Sequence, residues 1–535
     1  MSTYNDASLI YYPSGYKAGK AYSLKPTDGS GDLTFTRASS ATRVNEQGLI
    51  ETAGVVSPTE LVINGDFATD TNWVKQAGWS IGGGVATCNG SSGSIYQTGV
   101  VAIGKYYKCQ FDVTSLTSGA VAISAGGNTI GQSRTSIGTY SEILYVVSGS
   151  NDRAYILSQS FNGSIDNVSV KEVITNNIPR IDYTGGGCGK LLLEPQRTNL
   201  LLQSEDISSA SWTKNAVSIT ANSTTSPDGT TNADLITADG TTTQHYILQS
   251  QASSAKTISF FVKMGTQRYV QILTSGSTNA LANYDLQTGD VGGVGSASTA
   301  SMVDYGNGWW RIVLTSTDAL TGSVYLCFVN SLVQGRFPST TSTGTIWIWG
   351  AMAENGATYA TSYIPTTTTA VTKVADASVT TGLTSLIGQT EGTLYAEYYF
   401  DVTIPNAGGA DRDIFSITDG TSANMIQLIH YGDGVGAYNK KVYFTVVLSS
   451  VYVVTITSAV QSSGIMKIAG AYKENDFVLY VNGVQVGTDT SGGVPACSVT
   501  RLQPTSATLT TTKTKNIALF KTRLSNAQLA ALTTL

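Results

Sequence analysis

Between residues 60 and 173 the chain alternates apolar and polar positions in short runs, each about one strand long. "YYKCQFDVTSL", "GAVAISAG" and "YSEILYVVSG" are three of these runs, bounded by Gly, Ser or Asn turns. A period of two sends successive side chains to opposite faces of a sheet. Several short strands at this spacing predict an all-β sandwich. Residues 200–370 repeat the pattern in "TISFFVKMG", "RYVQILTSG", "ALANYDLQTGDV", "WWRIVLTST" and "GSVYLCFVN". Both segments open on an Asp-containing turn followed by Trp, pass through six to eight strands and close on an apolar strand. "NGDFATDTNW" (64–73) and "SEDISSASW" (204–212) match best, and the shared outline reads as a divergent internal duplication.

Residues 390–535 form a third β unit. In "FVLYVNGVQVGT", Asn482-Gly483 is a favoured pair for a two-residue type I′ turn, because both positions need positive φ. That turn sets Val481 against Val484, Leu479 against Val486, Phe477 against Thr488 and Tyr480 against Gln485, leaving one apolar and one mixed face. The chain ends in a helix, "RLSNAQLAALTTL". Ser525 and Gln528 make its capping box, Leu524 and Leu529 make a hydrophobic staple, and its Leu and Ala face is expected on the last sheet.

Composition strengthens the β reading. Thr, Val, Ile and Tyr are abundant and only 13% of residues are charged. The 41% hydrophobic fraction fills several cores, and 11 prolines without a long charge run argue against extended disorder. A net charge of 31 − 36 = −5 supplies no basic patch for nucleic acid. "MSTYNDASLIYYPSG" has neither the basic nor the apolar region of a secretory signal. No apolar run reaches the roughly 18–20 residues that span a bilayer. The expectation is a soluble protein made in a cytoplasm, without membrane insertion. The five cysteines, Cys88, Cys109, Cys188, Cys327 and Cys497, are odd in number and lack metal-ligand spacing, so free, mostly buried thiols are expected.

"ELVINGDFATDTNW…IDNVSVKEV" resembles the jelly rolls of carbohydrate-binding modules, with their N-G-D/G-F opening and closing D-x-V strand. The 200–370 segment resembles a more divergent member. "KIAGAYKENDFVLYVNGVQV…NIALFKTRLSNAQLAAL" is similar to laminin-G/concanavalin-like lectin domains. "LTFTRASSATRVNEQGLIE", "PRIDYTGGGCGKLLLEPQRTNLL" and "YATSYIPT" resemble segments of tailed-bacteriophage virion proteins: tail fibres, head appendages (head fibres) and capsid-decorating proteins. In such proteins the first two segments are often nearly contiguous. The resemblance therefore implies a sandwich inserted between them, at an exposed loop.

The implied organisation is all-β and multidomain: two jelly-roll sandwiches plus a concanavalin/laminin-G-like sandwich with a short C-terminal helix. Residues 1–58 would form a virion-anchoring segment, continued by 176–200 after an inserted jelly roll at 59–175. A second jelly roll would fill 200–370, a linker 371–389 and the lectin-like sandwich 390–535.

Sugar rings stack their C–H faces on aromatic side chains. The candidates in the jelly rolls are Trp79, Tyr96, Trp212, Tyr246, Tyr269, Trp309 and Trp310. The competing reading is that most Trp and Tyr of a sandwich are core. Trp347 and Trp349 share one face of "IWIWG" and read as core, whereas Trp309 and Trp310 fall on opposite faces of their strand. The jelly-roll resemblance implies a structural Ca²⁺ near the first and last strands, at Asp66 and Asp166. Against it, Ala68 stands where an acid commonly follows N-G-D-F, the second segment lacks the closing Asp, and turn chemistry alone accounts for Asp66.

No alternating-acid strand of a sandwich glycosidase occurs. Glu205-Asp206 and Asp411/Asp413 read as solvated loop acids, and His245 and His430 lie in separate units. The expected protein is a non-enzymatic bacteriophage appendage on the virion surface, assembled in the host cytoplasm. It would be held by other virion proteins, homotrimeric by the fibre resemblance, and adhesive to bacterial or environmental glycans. The alternatives are a purely structural decoration protein and, more remotely, a glycan-degrading enzyme.

Overall fold

A computed structural model describes residues 3–147, 149–356, 358–401, 413–432, 439–502 and 511–535. The fold is all-β, as the alternation predicts: antiparallel sheets stack as sandwiches, and the chain ends in a short helix. The chain divides into two compact units. One is Gly54–Asn176; the other joins Met1–Ala53 to Asn177–Leu535.

In the Gly54–Asn176 unit, two long antiparallel strands, Tyr106–Ala125 and Ala154–Ile174, organise the sheet. Their register slips several times, and each bulge bends the pair so that one strand serves different parts of the sandwich. Along Tyr106–Ala125 the burial alternates: Tyr107, Cys109, Phe111 and Val113 face the core, while Tyr106, Lys108, Gln110 and Asp112 face outward. The first and last strands pair with each other, Val55 with Ile174 and Val56 with Val173, so the ends of the unit lie side by side.

The second repeat uses the same device. Strands Tyr246–Met264 and Trp309–Val329 pair antiparallel over most of their length. Its main core holds Trp212, Phe260, Ile272, Tyr284 and Ile348. A smaller cluster on the opposite face collects Phe261, Trp309, Trp349, Met352 and Tyr363. Trp309 and Trp310 therefore do face opposite ways, with Trp310 packed against the main core.

The C-terminal sandwich stacks a ten-stranded sheet on a six-stranded one over a single large core. Segments far apart in sequence share its larger sheet. Leu9–Lys17 and Lys190–Leu193 both pair with Thr512–Phe520, which also pairs with Glu391–Phe400. A boundary drawn at 390 thus separates strands that hydrogen-bond. Residues 371–389 are not a plain linker: Val371–Lys373 pairs with Arg197–Asn199, and Ser378–Thr380 is a strand of the six-stranded sheet.

The Asn482-Gly483 turn has φ of 49° and 85°, both positive as required. Val481 pairs with Val484 and Tyr480 with Gln485, as expected. The next pairs differ: Leu479 faces Gly487 and Phe477 faces Asp489, because a bulge between Leu479 and Tyr480 adds one residue to the second strand. The helix Asn526–Thr533 carries the Ser525/Gln528 capping box, and Leu524, Leu529 and Leu532 bury against Tyr395, Val478 and Phe520.

A buried ion network ties the larger unit together: Arg37, Arg180 and Glu194 come from the two segments that Gly54–Asn176 separates, and Lys373 and Asp376 from further along the chain. Arg37 Nη1 donates to Asp376 Oδ1 (2.9 Å) and Arg180 Nη2 pairs with Asp376 Oδ2. Arg180 Nη1 reaches Glu194 Oε2 (2.8 Å) and Ser362 Oγ (2.7 Å). Lys373 Nζ lies 3.6 Å from Glu194 and donates to the Pro195 carbonyl (2.7 Å). Burial disfavours charge throughout, yet Arg180 and Lys373 hold the Glu194 carboxyl well below the usual carboxylate range. Burial outweighs the two acids at Lys373 and lowers its ammonium to about 8. Removing one partner of such a network strands the others, at a cost of about 3–5 kcal/mol.

Candidate functional site

The seven aromatic candidates separate by burial. Trp79 is 7% exposed, Trp212 1% and Trp309 2%. Each indole N–H is used internally: Trp79 donates to Gly93 O (3.1 Å), Trp212 to Gln203 O (3.1 Å) and Trp309 to Thr225 O (3.1 Å). None offers a face to a sugar ring, and the core reading replaces the binding one for all three. Trp310 is half-buried, with its N–H on Leu286 O (3.0 Å) and its ring against the main core of the repeat. Tyr269 is half-buried with the Arg268 guanidinium 5.0 Å over its ring.

Tyr96 has a different setting. It lies on the short strand Ser94–Gln97, directly across from Tyr155 on the long strand Ala154–Ile174. The two rings stand 5.1 Å apart, tilted by 44°, on the outer face of the sheet, and both are half-buried. The Arg153 guanidinium sits 4.8 Å over Tyr96 and donates to the Tyr155 hydroxyl at 3.4 Å; Asn151 Nδ2 donates to the same hydroxyl at 2.8 Å. On the strands beside the pair, Val74 is 47% exposed and Leu157 is half-buried. The site therefore joins two aromatic rings to a guanidinium and an amide at their rim, the chemistry that stacks a sugar and fixes its hydroxyls. Sequence reading found Tyr96 but missed Tyr155 and Arg153. "NDRAYILSQ" shows a single aromatic among aliphatic neighbours, and cross-strand pairing alone brings it to Tyr96.

The equivalent face of the second repeat carries a third ring, Phe337, and there Tyr246, Tyr325 and Phe337 are each half-buried. Register places Tyr325 there as it places Tyr155 in the first. Tyr246 stands 5.3 Å from Tyr325, and Phe337 lies 5.1 Å from each. The segment carrying Phe337 is pinned by side-chain amides: Gln271 donates to Gly335 O (3.1 Å), Asn283 to Leu332 O (2.9 Å) and Gln334 O (2.8 Å), and Gln244 to Phe337 O (3.0 Å). Tyr246 is thus part of a packed aromatic cluster.

The carboxylates also have local roles. Asp66 is exposed and accepts the Ala68 N–H (3.4 Å), as turn chemistry requires. Asp166 accepts the Asn167 N–H (2.7 Å) and pairs in register with Asp112. Among the described residues, no group of three or more His, Cys, Asp or Glu is placed to hold a metal ion. Asp206 caps its own turn, accepting from Ser208 Oγ (2.5 Å) and Ser209 N (3.1 Å). Glu205 is not the solvated acid expected. Tyr363 donates to its Oε1 (3.1 Å), and burial beside Asp228 raises its carboxyl to about 7. Asp413 is buried and accepts from Ser416 Oγ (2.7 Å); Asp411 lies outside the described residues.

No protein-family model and no curated protein matches the chain. Among solved structures, similarity extends to a carbohydrate-binding module, CBM40, of a Ruminococcus gnavus sialidase: 15% identity over 28% of this chain and 84% of that one, TM-score 0.22. The tandem CBM22 domains of Paenibacillus barcinonensis Xyn10C match at 12% identity over 57% of this chain and 98% of that one, TM-score 0.21. Domains LG4-5 of the mouse laminin alpha1 chain match at 12% identity over 52% and 86%, TM-score 0.18. Likenesses this remote carry no argument about ligand, so function rests on the chain's own residues.

Proposed function

We propose that the chain is a non-catalytic glycan adhesin, an appendage of tail-fibre or head-fibre type on the surface of a bacteriophage particle. The observation that carries the adhesive reading is the half-buried Tyr96–Tyr155 pair on the outer face of its sheet, with Arg153 and Asn151 at its rim. In this proposal other virion proteins hold the chain through its N-terminal segment, and copies associate as a homotrimer after assembly in the host cytoplasm. The edge strand Val451–Val460 supports self-association: it carries no charge, and Val451, Tyr452 and Val460 are 59–61% exposed. Several weak sites on one particle then add up to useful avidity.

A second reading, a decoration protein that binds only virion partners, is favoured by the burial of Trp79, Trp212 and Trp309. A glycan array and a host-cell adsorption assay on the purified chain, with and without EDTA, separate the two. Saturable binding lost in Tyr96→Ala supports the adhesin, and EDTA sensitivity would add a divalent cation to it. A correctly assembled sample that binds no glycan and no cell supports the decoration protein.

A further inference from the structure

A cavity of about 820 Å³ opens within the larger unit, where the second repeat, the N-terminal segment and the C-terminal sandwich meet. Its volume falls inside the roughly 300–1,000 Å³ typical of small-molecule sites. One wall is the outer face of Ser298–Asp304 and Trp309–Val329, where Thr299 pairs with Thr315 and Ser301 with Val313. The other comes from the larger sheet of the C-terminal sandwich. There Lys190, Leu192 and Lys513 line the cavity, with Tyr399 beside Lys513 in register. Tyr305 also lines it. Hydroxyl groups and the Tyr305 phenol on one side, with the Tyr399 phenol on the other, suit a polyhydroxylated ligand.

The charges on the lining are unequal in their pairing. Lys513 Nζ lies 3.1 Å from Asp182 Oδ2, Arg43 pairs with Glu51 at 2.9 Å, and Glu194 is held by Arg180. Arg311 is buried, donating to Thr361 O (2.6 Å) and Ser259 Oγ (3.0 Å). Asp401 completes the acids on the lining. Lys190, opposite Asp182 in register, makes no ion pair among the described residues, because Asp182 already serves Lys513, Thr184 and the Val44 N–H. It is half-buried, and both burial and the neighbouring Lys513 press against its charge. Asp182 thus stands between two ammonium groups and is taken up by Lys513, which leaves the Lys190 ammonium to an incoming anion. A lone ammonium meets one anionic group as a point charge, without the bidentate fork of an Arg.

We propose that this cavity binds a uronic-acid-containing saccharide, its carboxylate on Lys190 and its hydroxyls on the Thr and Ser wall. The site is separate in chemistry and in residues from the Tyr96–Tyr155 pair and stands without it. The test is calorimetric titration of the full chain at low salt with digalacturonate and a hyaluronan disaccharide, with lactose as the neutral control. At least one acidic disaccharide is expected to bind, with lactose about tenfold weaker or more. Lys190→Gln should weaken the acidic ligand about tenfold, the scale of one charge-assisted hydrogen bond. Lys190→Arg should restore most of it, and Tyr155→Ala should leave it unchanged. The proposal fails if neither acidic disaccharide binds, if lactose binds equally well, or if Lys190→Gln binds as the parent does. Loss in Tyr155→Ala instead of Lys190→Gln would also overturn it, by moving the ligand to the other unit.

Discussion

In the inserted unit Trp73 Nε1 donates to the Asn64 carbonyl at 2.9 Å; in the second repeat Trp212 donates to the Gln203 carbonyl at 3.1 Å, nine residues back in both. Asn64 and Gln203 both have positive φ, 56° and 49°. The closing strands agree as well. Val168 N donates to Gly65 O, and Ala351 N to Ser204 O, each at 2.8 Å and each just after a positive-φ bulge residue, Asn167 (52°) or Gly350 (64°). The backbone devices are shared and the side chains at equivalent places are not. Asp66 is exposed where Glu205 packs against Tyr363, and Asp166 stands where Trp349 is buried. The outer faces diverge in the same way: one tyrosine pair has Arg153 and Asn151 at its rim, and the other has Phe337 packed against both rings. The two sandwiches share the devices that close them and differ on their outer faces.

The largest effect tests the shared device. Trp73→Ala and Trp212→Ala each remove a buried indole and its hydrogen bond, and each should cost about 3–5 kcal/mol in denaturant unfolding. A cost below about 1 kcal/mol for either would break the equivalence. At the bulge, Gly350→Ala puts a Cβ 2.7 Å from Phe261 Cδ2 at a φ of +64°, and should cost about 1–3 kcal/mol. Asn167→Gly, at the equivalent place, should stay within about 1 kcal/mol, because Gly accepts the same φ.

A pH series sharpens the contrast between the acids. The folded Glu205 carboxyl is raised to about 7 from 4.5, so the folded state holds its proton more tightly than the unfolded chain. Its stabilising effect is fully present below about pH 4.5 and is lost as pH rises through about 7. Glu205→Gln should therefore raise stability at pH 8 by about 1–2 kcal/mol and change little at pH 4.5, read as Tm at each pH. A gain at pH 4.5 as large as that at pH 8 would contradict the assignment. Asp66→Asn, in its exposed turn, should move Tm by less than the equivalent of about 0.5 kcal/mol.

The alternation of side chains made the sandwiches, the helix cap and the split of Trp309 from Trp310 readable, because each depends on neighbours in sequence. The bulge between Leu479 and Tyr480 was not readable: nothing in "NGVQVGT" marks Val486 as the residue left unpaired. Nor was the ion network, whose Arg37 and Asp376 meet at 2.9 Å across 339 residues. The candidate site was half legible for the same reason. Tyr96 drew notice as an aromatic, but its value depends on Tyr155, supplied by a strand pairing that residue type alone does not reveal. The three tryptophans mislead in the opposite direction, since an indole that closes a core and one that receives a sugar look alike in sequence.

The most direct test of the account is host-cell and glycan-array binding by the parent chain, Tyr155→Ala and Tyr325→Ala, each checked for folding by circular dichroism. The guanidinium and amide at the rim of the first pair, against the phenylalanine ring packed on the second, predict that Tyr155→Ala loses roughly 30-fold or more in affinity, as a binding hot spot does. Tyr325→Ala should bind within about twofold of the parent, the difference appearing only in stability. Equal binding by the parent and a folded Tyr155→Ala, or loss confined to Tyr325→Ala, would contradict the assignment of adhesion to the first repeat.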